Sequence, residues 1–260
     1  MQEEKQNGYY QNILLFVLSL SVVYFATFAN IDKKASEKID YSFNQAINVF
    51  ATAKALNAVI SLVQGTEVGP PGVTITVGEI LDPINDLVER FSWVMLASLA
   101  SLGIQKILLN IVTCKGFDVL LILSLIVSNI IFLYRYEKYK NIRKYVFKFT
   151  ILLLFVRFSM PLMAVVNDFV YNNFVQGQYS VTKAEKEIDV TTEKIGNFDD
   201  SKSSFFSIGY YKKKMIEFEK LASDASDNIV NLIIIFIFQT MFFPLVFIFL
   251  LYKIFGMIFR

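Results

Sequence analysis

The chain contains no histidine and a single cysteine, Cys114. Without histidine it has no imidazole general base, none of the commonest zinc and haem ligands, and no side chain that ordinarily changes charge near neutral pH. One cysteine excludes an intramolecular disulfide framework and any multi-cysteine metal or cluster site. Tryptophan occurs once and proline five times, so each proline is worth placing individually. No Asn-x-Ser/Thr acceptor is present, which leans toward a prokaryotic source. Charge is scarce as well. Only 18% of the residues are Asp, Glu, Lys or Arg, and the net charge is +2, which provides no basic field for nucleic acid. Nucleophile elbows, phosphate loops, dinucleotide fingerprints and metal-ligand spacings are all missing. The expectation is therefore no cofactor, no metal and no enzymatic activity.

What remains is apolar. Hydrophobic residues make up 55% of the 260, with 26 Phe, and they gather into four runs: Ile13–Ala29, Phe117–Tyr134, Phe149–Val170 and Ile229–Tyr252. A bilayer core needs roughly 20 apolar residues in a helix, and only helices satisfy their own backbone groups inside it. The fold class expected is an all-α integral membrane protein with about four transmembrane helices extended into an extracytoplasmic helical bundle. The first run reads as an uncleaved anchor and not a signal peptide, because Glu3 and Glu4 outnumber Lys5 ahead of it.

Sidedness follows from the basic residues. Arg135, Lys138, Lys140, Arg143, Lys144 and Lys148 face a single acid, Glu137, so the loop 135–148 is expected in the cytoplasm. Both termini then fall on that side, and the location expected is a prokaryotic inner membrane. Two moderately apolar segments, Phe43–Val63 and Phe91–Cys114, leave five or six spans open as alternatives. The acid-rich stretch 64–90 disfavours six.

The chain accordingly divides into five parts: an N-terminus and first span (1–30), an extracytoplasmic helical segment with a Pro/Gly loop and a re-entrant or membrane-embedded helix (31–116), a transmembrane hairpin (117–170), an extracytoplasmic helical hairpin (171–227) and a C-terminal span (228–260). Three polar stretches have the spacing of bundle helices. These are Ile39, Phe43, Ala46, Phe50, Ala53 and Ile60; Val181, Ala184, Ile188, Thr191 and Ile195; and Ile208, Tyr211, Met215, Phe218, Ala222, Ala225, Ile229 and Leu232. The last continues into the fourth run as one long helix. The alternating run Val73–Val77 can pair as a short strand, and Asp82-Pro83 has the form of a helix start with Asp82 as N-cap.

Two sets of residues are candidates for chemistry. Arg157 lies inside the third run, where a charge is costly and so points to function or to a partner. Pro161 removes the N–H that would bond the Arg157 carbonyl, and Pro244 does the same to Thr240, beside Gln239. With Asn129 of the second run these form a candidate midplane polar site: Arg157, Pro161, Gln239, Thr240, Pro244 and Asn129. The second set is the charged cluster Asp82, Asp86, Glu89 and Arg90. Ala97, Ala100, Ser101 and Gly103 supply a small face for close helix contact. The functional expectation is a structural or assembly subunit of an oligomeric membrane complex, partnered by the bilayer and by itself or other membrane subunits. A channel or transporter with its site at the kinked helices is the alternative, and a membrane-embedded enzyme the third.

Overall fold

The structure is a computed structural model that describes Ser19 and residues 30–64, 67–68, 75–76, 78–133, 140–177, 180–197 and 208–259. It is helical throughout these residues apart from one two-residue ladder. The order is α1 (Ile31–Gln64), β1 (Glu67–Val68), β2 (Ile75–Thr76), α2 (Gly78–Val112), α3 (Lys115–Leu133), α4 (Lys140–Val170), α5 (Val181–Gly196), α6 (Ile208–Ile237) and α7 (Phe243–Phe259). Wide π-type turns close α4 (Tyr171–Val175) and join α6 to α7 (Phe238–Phe242). Strands β1 and β2 pair antiparallel, Glu67 with Thr76 and Val68 with Ile75, so the strand expected near Val73–Val77 is present and its partner lies across the Pro/Gly loop.

Four helical stretches are long and apolar enough to cross a membrane: Ile31–Gln64, Leu81–Val112, Asn141–Val175 and Lys212–Gly256. The last two contain the third and fourth apolar runs. The first two contain the segments whose crossing the sequence left open. The second run forms α3, a helix of 19 residues, and Ile13–Ala29 lies outside the described residues but for Ser19.

The chain divides into two compact units. One draws on the chain up to Asp40, Ile104–Asp168 and the chain from Val246; the other is Tyr41–Gly103 with Phe169–Leu245. In the second unit the core is a coiled-coil-like bundle whose seams can be read residue by residue. In α2 the fully buried positions Leu81, Ile84, Val88, Phe91, Met95, Ser98 and Leu102 alternate by three and four. In α5 the buried positions are Val181, Ala184, Ile188, Thr191 and Ile195, and in α6 they are Phe218, Ala222, Ala225, Ile229, Leu232 and Phe236, a line that Gln239 continues in the π-type turn. A strict seven-residue repeat keeps one stripe on the partner only if the helices wind around one another with a left-handed supercoil. The seams expected for α5 and for α6 from Phe218 onward are these.

Of the expected α1 seam, Ile39, Ala46, Ala53 and Ile60 are buried, and the correction lies at the positions between: Val49, Leu56 and Val63 are buried, whereas Phe43 and Phe50 are half-buried and pack against the edge of the core. The larger Phe side chains reach the core from a flanking position, and the small Ala and Val fit the narrow line between helices. The start of α2 is corrected too. The helix begins at Gly78 and Pro83 lies inside it, because burying Leu81 and Ile84 extends the seam upstream of the proline. Asp82 is therefore no N-cap; its carboxylate accepts from Gln64 Nε2 at 2.8 Å. At the far end of the bundle, a Cβ on Gly196 would stand 3.5 Å from Val59 Cγ1, so α5 ends close against α1.

The first unit is organised by an antiparallel α3/α4 pair. Ser124 and Thr150 share a buried 2.7 Å hydroxyl hydrogen bond, with Leu121, Leu125 and Leu153 packed beside it. Asn129 Nδ2 donates to Ser19 Oγ at 3.2 Å and to the Leu125 carbonyl at 2.8 Å. Phe155 of α4 meets Phe255 of α7 with ring centroids 5.4 Å apart.

Candidate functional site

Arg157 is held by two carboxylates from two other helices. Its side chain is 0% exposed. Nε donates to Asp118 Oδ1 at 2.8 Å, Nη1 to Asp32 Oδ1 at 3.0 Å, and Nη2 to Asp32 Oδ2 at 2.5 Å. The Asp32 contact is the two-pronged fork geometry that guanidinium forms with carboxylate, and the flat head leaves Nε free to reach a second acid. Asp32 stands in the first turn of α1 and Asp118 in the first turn of α3. Each acid thus sits in the first turn of its own helix, beside backbone N–H groups that have no partner within the helix. The side chain does not reach back along its helix to solvent. It is a buried cation at a three-helix junction, and the three groups carry a net charge of −1.

The register also fixes the level of this junction. Asp118 pairs with Arg157, and Ser124 with Thr150, so residue numbers fall along α4 as they rise along α3. Asp118 is three residues from the start of α3 at Lys115. Arg157 therefore stands at the end of the α3/α4 pairing and not at its middle, and α4 continues past it to Val170. Other charges of this unit form partly exposed pairs: Lys106 Nζ with Asp40 Oδ1 at 2.6 Å, and Lys38 Nζ with Asp168 Oδ2 at 3.1 Å.

The other members of the proposed midplane set have different partners. Thr240 Oγ1 donates to the Phe236 carbonyl at 2.7 Å and lies 3.1 Å from Ser98 Oγ. The carbonyl of Thr240, deprived of its helical donor by Pro244, accepts from Ser101 Oγ at 2.6 Å. Gln239 Nε2 donates to Ser42 Oγ at 3.4 Å. These contacts make a polar layer inside the bundle core of the second unit, linking α1, α2 and the π-type turn. Pro161 and Pro244 are both buried, and Asn129 binds Ser19 and its own helix. The small face of α2 thus supplies Ser101 as the donor that the freed carbonyl needs. Asp82, Asp86, Glu89 and Arg90 are all exposed on α2, opposite its buried seam.

Asp32 and Asp118 were missed from sequence. A signal existed, since the acids within the four apolar runs are Asp118 and Asp168, and a buried arginine needs an acid. A groove of about 660 Å³ between α5 and α6 is lined by Lys183, Lys186, Lys194, Glu187, Asp224 and Asp227; its charges are mixed and define no ligand. Among the described residues no group of His, Cys, Asp and Glu is arranged to hold a metal ion. No protein-family model, curated protein or solved structure matches this chain.

Proposed function

We propose that the protein is a multi-pass membrane protein of a prokaryotic inner membrane that acts as a structural or assembly subunit of an oligomeric complex. The observation that carries this reading is the occupied guanidinium of Arg157. A cation that lines a permeation path keeps its donors for its ligand, whereas here Asp32 and Asp118 take three of the five N–H groups and join three helices. A buried pair of this kind contributes to register and specificity of packing. The Pro-freed carbonyl of Thr240 is satisfied in the same way, by Ser101.

The membrane spans of this reading are the four apolar runs, Ile13–Ala29, Phe117–Tyr134, Phe149–Val170 and Ile229–Tyr252. Helix α3 is about 28 Å long at 1.5 Å per residue and so matches the roughly 30 Å hydrocarbon core. Ser19 stands opposite Asn129 and Asp32 opposite Asp118, a progression antiparallel to α3, as expected if the first run ascends where α3 descends. Helices α1 and α2 are also long and apolar enough to cross; this reading keeps them outside the bilayer, where Asp40 and Lys54 on α1 and Arg90 and Lys106 on α2 meet water. The basic loop 135–148 and both termini face the cytoplasm in this arrangement, and the α1/α2 and α5/α6 bundle lies outside.

Sidedness labelling tests it. Cysteines at Asn141 and Asn197, introduced with Cys114 replaced by serine, should react from opposite faces of sealed vesicles, and alkaline carbonate should leave the protein in the membrane. Release by carbonate, or labelling from one face, refutes the membrane arrangement. Substrate-linked flux in proteoliposomes that Arg157→Gln abolishes without unfolding would replace the structural reading with transport.

A further inference from the structure

The groove between α5 and α6, inside the second unit, has its charges sorted by wall. The α5 side carries Lys183, Lys186 and Lys194 with one acid, Glu187, and the α6 side carries Asp224 and Asp227 with no base. All six are exposed. Three lysines less one glutamate give the α5 wall a charge of +2, and two aspartates give the α6 wall −2. Lys183 pairs with Glu187 of its own helix at 3.8 Å, and among the described residues no ion pair crosses the groove. The two helices run antiparallel, and the charge of Lys194 acts on Glu217, which sets their register. Counting away from that pair brings Val190 level with Leu221, Lys186 level with Ala225 between the two aspartates, and Lys183 level with Asn228.

We infer that this groove is the contact between two copies of the chain, which meet about a two-fold axis running along it, so that α5 of each faces α6 of the other. An isologous contact needs a surface that complements itself. A basic wall beside an acidic wall of equal and opposite charge meets that need, because a half-turn about the groove lays each wall on its opposite without changing height. Lys186 then stands between Asp224 and Asp227 of the second copy, Lys183 beside its Asp227, and Val190 against its Leu221. Val190 is 41% exposed and Leu221 half-buried, so an apolar centre is flanked by charge. A partner of one sign would be repelled by one of the walls, and lipid tails do not cover charged side chains. The inference rests on the membrane arrangement proposed above in one respect: copies inserted with one orientation share the axis along the membrane normal that this pairing uses.

The test follows the mass of the full chain in mild detergent by light scattering. The parent should be a dimer that dissociates as sodium chloride rises from about 0.05 to about 0.5 M, since salt shortens the reach of these charges. A copy with Lys183→Asp and Lys186→Asp has two acidic walls, and one with Asp224→Lys and Asp227→Lys has two basic walls. Each alone should associate about tenfold more weakly or worse, with a parental melting temperature, and mixing the two should restore a one-to-one dimer. A monomeric parent, association that salt leaves unchanged, or reversed copies that fail to combine with each other overturns the interface. Should either reversed copy not fold, the neutral changes Lys186→Gln and Asp224→Asn take their place, and association equal to the parent's in both overturns it as well. A chain that resists carbonate but stays monomeric refutes only this interface, whereas one that carbonate releases refutes the membrane reading itself.

Discussion

Ser101 Oγ donates a 2.6 Å hydrogen bond to the carbonyl of Thr240, the acceptor that Pro244 leaves without a helical N–H. Two helices are thereby joined at a backbone acceptor that the proline removes from the ordinary α-helical ladder. The stabilisation comes from avoiding an unpaired buried acceptor, a cost of about 1–3 kcal/mol.

Ser101→Ala should lower the melting temperature in detergent by an amount corresponding to about 1–3 kcal/mol. With Pro244→Ala in the background, Thr240 regains a helical donor and the serine substitution should cost much less. Additive losses in the double variant would show that the hydroxyl does not serve the proline.

Arg157→Lys and Arg157→Gln should both destabilise strongly, by about 3–5 kcal/mol for a broken buried pair. Lysine keeps the charge but lacks the fork that reaches Asp32 and Asp118 together. The triple change Arg157→Met, Asp32→Asn, Asp118→Asn removes every charge from the junction and should recover a large part of the loss. Thermal melting of the four proteins decides the matter; a parental melt for Arg157→Lys would mean that the ammonium finds water and the junction is open.

The register of α1 can be checked on adjacent residues. Leu56 is fully buried and Asn57 is half-buried. Leu56→Asp places an unpaired charge in the core and should prevent stable folding, while Asn57→Asp should be tolerated within about 1 kcal/mol. Equal tolerance would return the seam to the Phe43, Phe50 line. Phe218→Asp on α6 should behave like Leu56→Asp.

Glu185 on α5 has its carboxyl pushed above the ordinary range, first by burial and then by the nearby Asp189 charge. Folding therefore favours the protonated acid. The contribution is fully present below the unfolded-state value near 4.3 and is lost as pH rises through the higher folded value. Glu185→Gln should raise the melting temperature at pH 7 and give little gain at pH 3.5. A gain that is independent of pH would assign the effect to packing.

Much of the bundle was legible because its seams obey a period. Val181 to Ile195 and Phe218 to Leu232 are apolar on one side and charged on the other, so sequence periodicity and burial coincide. Helix α2 was opaque for the opposite reason. Its buried seam contains Ser98 and Gln105, and its exposed face carries Trp93, Ile104 and Ile107, so the contrast between faces disappears. In α1 the bulk of Phe43 and Phe50 drew the stripe one residue away from Val49 and Leu56. Arg157 announced itself by its cost, but its partners are 125 and 39 residues distant, and no local pattern connects residues so far apart. The Pro244 vacancy was readable from one helix; Ser101, its remedy, depends on the pairing of two.

The wide turn Phe238–Phe242 accommodates one residue more than an α-helical turn of the same rise, so the sequence phase of the helix shifts there by about 100°. Such a turn is how a helix stores an insertion. Losing one residue there would let the turn relax to ordinary α geometry and leave the cores on either side in phase with themselves. The same deletion between Phe218 and Leu232 would turn every following core residue outward. A one-residue deletion in this helix is therefore expected to be tolerated at the turn beside Pro244 and not within the Phe218–Leu232 seam.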